Sequence, residues 1–462
     1  LGPLVSTDMT RCIHCTRCVR FGQEIAGIPE LGTMGRGDRV QISTWVEKTV
    51  DHELSGNIID LCPVGALNNK AYRYRARAWE MTQHPLVSPH DCAGTNLYGH
   101  VLRGRLMRVV PRANDDINET WIADRDRYSC EGLYADDRAQ KPMVREGGVW
   151  REVDWETALE AAARGLQRVV REHGAGQLGV LVSPAATTEE AYLAARVARG
   201  LGSENVDHRL RRQDFRDAAG DPLAPTLGCS IAEFESASAV LLVGSDVRKE
   251  VPIIAHRIRQ GAVRHGSRVA SISTRAVNVM FPLVANLASN GYGMAQHLAA
   301  VLAAALRAAG QSAPASVAAA LEGVAPTAEH ERIAAMLSQG GLRLILLGAL
   351  AERHAAFAEL RALAAALAAV TGARLGYLPE GGNAVGASLA GATPHRGAGG
   401  RAVAKPGLPA IEMLGARLRG YVLVGGVELA DVAQPAAAES ALQGAECVVA
   451  LTPYASEEQK AS

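Results

Sequence analysis

The hydrophobic and polar positions of this chain follow different patterns in successive regions, and each pattern predicts a different kind of structure. Residues 1–80 contain short turns and polar stretches with few long apolar periods. Residues 85–135 contain short apolar runs, at 97–102 and 106–110, punctuated by glycine and proline. Runs of this length between turn residues predict a small β-rich segment.

After Pro142 the pattern changes to alternating helices and strands. Asp154 can cap a helix whose apolar residues 155, 158, 159, 162 and 166 follow helical spacing. Predicted helices at 188–201 and 251–264, and one ending near 371, separate short apolar runs. These runs lie at 178–182, 239–243, 268–272, 342–347, 420–424 and 448–451. Continuous apolar strands between helices predict parallel sheets covered on both faces, and therefore an α/β fold. The Gly/Ala/Pro-rich stretch 381–409 is predicted to be a loop over a cleft.

Composition restricts the classes of partner. The 462 residues hold 48 basic and 48 acidic side chains, so we expect no nucleic-acid surface. The best apolar stretch, 298–306, is far shorter than the roughly 18 residues that a membrane helix needs. We therefore expect no direct membrane insertion, and at most docking on a membrane through partner proteins.

Four cysteines are the main candidates for chemistry. Cys12, Cys15 and Cys18 follow a Cys-x2-Cys-x2-Cys spacing, and Cys62 is followed by Pro63. Three thiolates on one tight loop with a remote Cys-Pro partner favour a [4Fe–4S] cluster, whereas zinc usually takes cysteines in pairs. Eight cysteines in 462 residues are too few for a disulfide scaffold, but zinc remains an open alternative.

Other candidate residues favour structural roles. His14 lies between two of the cysteines, but Cys62 already supplies a fourth ligand. Cys229 and Cys447 are expected to be buried thiols. The glycines of 381–386 match neither a dinucleotide-binding motif nor a P-loop. No acid/base pair or Ser–His–Asp pattern stands out, so no catalytic residue is predicted.

Four stretches carry a resemblance to a known family. The first is Arg11-Cys-Ile-His-Cys-Thr-Arg-Cys-Val-Arg-Phe with Asp60-Leu-Cys-Pro-Val-Gly-Ala-Leu. The second is Ile117-Asn-Glu-Thr-Trp-Ile-Ala-Asp-Arg-Asp-Arg-Tyr, followed by Pro142-Met-Val-Arg. The third and fourth cover residues 241–252 and 380–387. On these residues the chain resembles the largest iron–sulfur subunit of the peripheral arm of respiratory complex I, the NADH-quinone oxidoreductase of bacteria.

This resemblance implies an electron-relay function. Cys12, Cys15, Cys18 and Cys62 would bind one [4Fe–4S] cluster, screened by Ile13, Val19 and Phe21. The cluster would pass electrons from NADH and a flavin on another subunit toward quinone. The partners would be other peripheral-arm subunits, at the cytoplasmic face of a bacterial inner membrane, and the protein would be enzymatic only within that complex. The chain would be a fragment, because the family carries further [2Fe–2S] and [4Fe–4S] clusters in an upstream part.

The rest of the chain resembles the molybdopterin oxidoreductase fold. That superfamily binds a cluster at places that fall here on Ser88, Asp91, Thr95 and Ala123, with Cys92 and Cys130 off register. The place of the molybdenum ligand falls near Arg211, which cannot ligate the metal. The resemblance therefore implies neither a second cluster nor molybdenum.

The resulting organisation is a [4Fe–4S] cluster domain at 1–80, a β-rich vestigial cluster segment at 81–140 and a molybdopterin-oxidoreductase-like α/β domain at 141–462. Two alternatives remain. One is the large subunit of an NAD-linked formate dehydrogenase, which would need the missing cluster and metal ligands. The other is a zinc-containing scaffold protein.

Overall fold

The structure, a computed structural model, describes residues 2–45, 49–454 and 460. The described chain divides into two units, each assembled from three stretches. Unit 1 comprises the residues up to 131 together with 227–348 and 362–378. Unit 2 comprises 132–226, 349–361 and the residues from 379 onward. The boundaries of the three domains inferred from sequence stay a prediction.

The N-terminal part of unit 1 is built from short elements. Its helices are α1 (Arg17–Arg20), α2 (Asn57–Leu61) and α3 (Asp124–Tyr128), and α1 continues into a π-helical turn, Phe21–Ala26. Its antiparallel strands are β1 (Val5–Thr7) with β4 (Leu67–Asn69), β2 (Leu31–Met34) with β3 (Gln41–Thr44), and the sheet β5 (Thr82–Val87), β6 (Asn96–Leu102) and β7 (Arg105–Pro111).

The rest of unit 1 is a five-stranded parallel sheet with the order β14-β13-β12-β15-β16. Its strands are β12 (Ala239–Val243), β13 (Arg268–Ser273), β14 (Ala285–Ala288), β15 (Arg343–Leu347) and β16 (Arg374–Tyr377). Its helices are α6 (Val247–Glu250), α7 (Pro252–Arg264), α8 (Gly293–Ala309), α9 (Ala318–Leu321) and α10 (Ala328–Leu337). All five residues of β12 are fully buried, as expected of a central parallel strand.

Unit 2 has a four-stranded parallel sheet with the order β11-β10-β17-β18 and a separate hairpin. Its strands are β8 (Met143–Glu146) and β9 (Val149–Glu152) in the hairpin, then β10 (Leu178–Val182), β11 (Val206–Asp207), β17 (Gly420–Val424) and β18 (Cys447–Leu451). Its helices are α4 (Trp155–His173), α5 (Thr188–Gly200), α11 (Ala349–Glu352), α13 (Ala384–Leu389), α14 (Ala410–Gly415) and α15 (Pro435–Gln443). Helix α12 (Phe357–Thr371) contributes residues to both units.

The predicted α/β class with parallel sheets is confirmed, and Asp154 caps α4 through the amide of Thr157 at 2.8 Å. Several elements were not predicted from the sequence patterns, and two of these differences are informative. Strand β5 has all six residues exposed, so it carries no alternating apolar signal. It lies at the edge of its sheet, where Pro85 is tolerated.

The second difference lies in the predicted loop 381–409, which contains helix α13. Alanine is a strong helix former, and Ala387 is fully buried in a cluster with residues of α5. Within the part of the chain that the structure describes, no helix is long and apolar enough to cross a membrane.

Candidate metal centre

Pairing of β1 with β4 brings the two cysteine segments together. Strand β1 ends five residues before Cys12, and β4 begins five residues after Cys62. Val5 pairs with Asn69 and Thr7 with Leu67, and the amide of Asp8 donates to the carbonyl of Ala66 at 2.8 Å. Residues about 50 positions apart in sequence are therefore held side by side.

The cysteine loop has an unusual backbone. His14 and Thr16 both have a positive φ, 51° and 58°, on either side of Cys15. A left-handed conformation in a residue with a Cβ atom costs of order 1–2 kcal/mol, so it persists only where the surrounding structure requires it. The two left-handed residues curl the chain tightly before α1 begins at Arg17.

All four cysteines line one cavity. Cys12, Cys15, Cys18 and Cys62 share it with mainly apolar residues, among them Ile42 and Leu67. Cys15 is exposed and the other three are partly buried. Four soft thiol donors around an apolar cavity suit an iron–sulfur cluster.

The sulfur spacing distinguishes two kinds of metal site. A tetrahedral zinc with Zn–S bonds near 2.3 Å needs its four sulfurs about 3.8 Å apart. Within residues 2–45, 49–454 and 460, the only three metal-ligating side chains that lie mutually within 4.8 Å are Glu172, His173 and Glu446. No three of the four cysteine sulfurs are therefore close enough for one zinc. In a [4Fe–4S] cluster each cysteine sulfur binds a different iron atom, so the four sulfurs lie farther apart than the four sulfurs around one zinc.

Burial changes the pKa of one of the four thiols. Desolvation raises the pKa of Cys18 to about 11, and the neighbouring Cys12 and Cys15 add to this because like charges repel. Backbone hydrogen bonds from Val19 and Cys18 act in the opposite direction. Bound iron would reverse this balance, since metal ligands are deprotonated.

Helix α2 positions Cys62, which lies at its C-cap. The buried Asn57 side chain donates to the carbonyls of Leu54 and Ile122, both at 2.8 Å, and accepts from the amide of Ile122 at 3.1 Å. Arg127 donates to Asp60 at 2.5 Å. These contacts fix the helix that presents the fourth cysteine.

Stretch 117–128 supplies most of the residues that hold α2 in place. The sequence analysis used this stretch for the family resemblance but assigned it no structural role. Its Asp124 accepts from the hydroxyl of Ser55 at 2.5 Å and from the amide of Gly56 at 2.7 Å. Its Glu119 accepts from the indole of Trp121 at 2.7 Å. The sequence signal for this role is the density of charged and amide side chains next to the apolar residues Ile117, Trp121 and Ile122.

Two of the three predicted screening residues are buried. Phe21 is 2% exposed and Val19 is 7% exposed, but neither lines the cavity. Ile13 lines the cavity but is 60% exposed. Phe21 packs against the ring of Trp121 at a centroid distance of 5.1 Å. His14 is exposed and is not among the residues that line the cavity.

The four residues at the places where the superfamily has a second set of cluster ligands make hydrogen bonds and an ion pair instead. Ser88 donates to Asp126 at 2.6 Å, and Asp91 pairs with Arg125. Arg125 also donates to the carbonyl of Glu250 at 2.7 Å. Ser88, Asp91, Thr95 and Ala123 are all buried, so direct protein contacts occupy this place.

The remaining cysteines are dispersed. Cys92 and Cys130 pack in different hydrophobic clusters, and burial raises the pKa of both thiols. Cys229 and Cys447 are partly buried rather than fully buried, and desolvation raises their pKa too. A raised pKa keeps these thiols protonated and unreactive.

Arg211 is held by carboxylates in unit 2. It pairs with Glu380 and donates to Asp431 at 2.8 Å, while Arg353 also pairs with Glu380 at 2.7 Å. A guanidinium stays protonated and offers no lone pair to a metal. The residues at this place do not fit a molybdenum ligand set.

Comparison with known families agrees with this architecture. Residues 138–462 match the family model described as molybdopterin oxidoreductase. The chain belongs to the molybdopterin oxidoreductase family. Residues 2–68 match the ferredoxin-like domain of NADH-quinone oxidoreductase subunit 3, and residues 87–131 match an NADH-ubiquinone oxidoreductase NDSU1/NuoG-like 4Fe-4S domain.

Curated relatives of this chain confirm its resemblance to the large iron–sulfur subunit of complex I. The mitochondrial NADH-ubiquinone oxidoreductase 78 kDa subunit of Candida albicans is 38% identical over 272 residues, 59% of this chain and 37% of that protein. The NADH-ubiquinone oxidoreductase 75 kDa subunit of Reclinomonas americana is 37% identical over 292 residues, 59% of this chain and 40% of that protein. The matched region thus spans about two fifths of each relative.

A solved structure shows the same fold. Acetylene hydratase from Pelobacter acetylenicus superposes with a TM-score of 0.54 over 82% of this chain and 60% of that one, at 13% sequence identity. At this identity the likeness concerns the fold alone.

Proposed function

We propose that this chain is an electron-relay part of an NADH-quinone oxidoreductase, and that Cys12, Cys15, Cys18 and Cys62 hold its [4Fe–4S] cluster. The observation that carries the proposal is that one cavity is lined by all four cysteines, spaced too widely for zinc. The cluster would supply a one-electron carrier whose potential depends on burial and on hydrogen bonds to sulfur. Ile42 and Leu67, which are buried and line the cavity, would exclude water from its inner side.

The wider setting follows from the relatives. Electrons would come from NADH through a flavin on a partner subunit and leave toward quinone. Other peripheral-arm subunits would be the partners, on the cytoplasmic face of a bacterial inner membrane. Further [2Fe–2S] and [4Fe–4S] clusters would belong to an upstream part, as the resemblance implies. A formate dehydrogenase is less well supported, because Arg211 bridges Glu380 and Asp431 at the place of the metal ligand.

Anaerobic assembly of the cluster tests this function. The chain should bind about four iron and four sulfide per molecule and give a cubane EPR signal after one-electron reduction. A protein that instead takes up one zinc and no sulfide would be a scaffold and not a relay.

A further inference from the structure

The structure places a largely buried carboxyl group beside His52, whose ring stacks on the aromatic residue that follows the cysteine loop. Phe21 is three residues beyond Cys18, and its ring stacks on that of His52 with a centroid distance of 6.3 Å and an interplanar angle of 23°. Glu30 Oε2 lies 4.0 Å from His52 Nε2. The Glu30 side chain is 16% exposed and that of His52 is 4% exposed.

The hydrogen bonds of this pair leave one carboxyl oxygen without a partner. The amide of Leu54 donates to His52 Nδ1 at 3.3 Å, which places the proton of the neutral ring on Nε2, facing Glu30. Among the described residues Glu30 Oε2 is buried and has no hydrogen-bond partner. A buried ionised carboxylate in this position is costly, whereas a protonated one is not.

Some of the surrounding groups raise the pKa of Glu30 and others lower it. Desolvation and the nearby Asp51 raise the pKa of Glu30 to about 7, and a backbone hydrogen bond from Asp51 and the charge of Arg248 partly oppose this. Glu53 also raises it, but that carboxylate is paired with Arg248 at 2.7 Å and with Lys249. Burial lowers the pKa of His52 to about 4, so the imidazole stays neutral.

A small cavity adjoins the His52 side of the pair, although Glu30 itself does not line it. His52 lines a cavity of about 20 Å³, which has room for one water molecule, together with Glu53, Arg248, His256 and Arg259. These polar groups supply the hydrogen-bond partners that a buried water needs.

We propose that Glu30 is a proton-binding site coupled to reduction of the cluster. One electron enters the cluster from its donor, and one proton from a hydronium ion of the solvent binds the Glu30 carboxylate, forming its O–H bond and leaving a water molecule. The added negative charge favours the neutral acid, because a like charge nearby disfavours a carboxylate. This inference rests on the proposed function, since it requires a cluster bound by the four cysteines.

Redox titration followed by EPR tests the coupling. In the chain with its cluster assembled, the midpoint potential should fall as the pH rises through about 7 and be flat well above and below. Glu30→Gln should make the potential independent of pH across this range. Glu24→Gln is the matched control, because Glu24 is exposed and paired with Arg20 at 2.9 Å, and it should follow the unmodified chain.

Infrared difference spectra provide a second readout that does not depend on folding of a variant. Reduction of the unmodified protein near pH 7 should produce the carbonyl band of a protonated carboxyl group, and Glu30→Gln should lack it. A flat potential with no such band in the unmodified protein, or an unchanged slope in Glu30→Gln, would overturn the proton site. Failure of the proposed function gives a different result, namely no iron, no sulfide and no EPR signal.

Discussion

At the scale of single residues, Cys62 should be indispensable, because among the described residues that line the cavity it is the one thiol outside the cysteine loop. Serine oxygen is a poor substitute for thiolate on iron, so Cys62→Ser should reduce iron content from about four atoms per chain to less than about one. Iron analysis and EPR would measure this. Cys447→Ser is a matched thiol control in unit 2 and should keep its iron; an unchanged cubane signal in Cys62→Ser would contradict the ligand assignment.

Cys92 and Cys130 should be dispensable. A four-iron cluster needs four protein donors, and these two thiols pack in separate hydrophobic clusters while Asp91 and Arg125 form an ion pair. The double variant Cys92→Ala/Cys130→Ala should retain the same iron per chain. Loss of about four iron atoms would show that residues 87–131 hold a second cluster.

Glu119 should make the stability of unit 1 depend on acid. A hydrogen bond with His256, together with the charges of His256 and Arg257 and the Trp121 bond, lowers the pKa of Glu119 to about 2 from 4.5. Because the folded value lies below the unfolded one, this stabilisation is fully present above about pH 4.5 and is lost as the pH falls toward 2. It amounts to at most about 3 kcal/mol for a side chain that is 26% exposed.

Urea unfolding at several pH values would measure this effect. Glu119→Gln should be destabilised near neutral pH and should lose less stability than the unmodified protein on acidification to pH ~3. If acid lowers the free energy of unfolding of both proteins equally, Glu119 is not the source of the pH dependence. Glu24→Gln, which changes an exposed carboxylate, should retain the full acid response.

At the scale of elements, α2 and its bracing stretch should control cluster retention. Asn57→Ala removes three hydrogen bonds and leaves both backbone groups of the buried Ile122 without that partner. We expect a loss of stability of about 2–4 kcal/mol and slower or incomplete cluster assembly, because α2 carries Cys62. Thermal unfolding and the rate of iron uptake would measure it. Asn68→Ala, which removes a side-chain bond to the carbonyl of Gly65 next to β4, should have a smaller effect.

At the scale of the whole molecule, the family fold should carry no molybdenum chemistry in this chain. Arg211, Arg353, Glu380 and Asp431 form a connected set of ion pairs at the place of the metal ligand. We expect purified protein to contain iron and sulfide but no stoichiometric molybdenum, tungsten or pterin, as measured by metal analysis and pterin extraction. Stoichiometric pterin would move the chain to the dehydrogenase class.

Arg211→Ala separates a structural role from a metal-binding one. It should destabilise unit 2 by about 1–2 kcal/mol, since a half-buried pair of carboxylates loses a shared cation, and it should leave iron content unchanged. A drop in iron content comparable to that of Cys62→Ser would show that the cluster depends on the ion pairs of Arg211.

The sequence by itself determined the α/β class, six of the parallel strands and four of the helices after residue 142, and the four cysteines. Apolar runs that are buried on both faces, such as β12, and a Cys-x2-Cys-x2-Cys spacing are local signals, so they can be recognised without knowing the fold. Strand β5 and helix α13 were missed for the same reason, since neither has a local apolar period that distinguishes it.

Only the tertiary structure decided how distant residues act together. Three contacts join positions tens of residues apart: the pairing of β1 with β4, the bracing of α2 by stretch 117–128, and the contact of Glu30 with His52. Their effects depend on burial and on hydrogen-bond partners, which no sequence period encodes. A glutamate such as Glu30 looks like a solvated surface charge in the sequence, and it becomes a candidate proton site because the fold removes water from one of its oxygens.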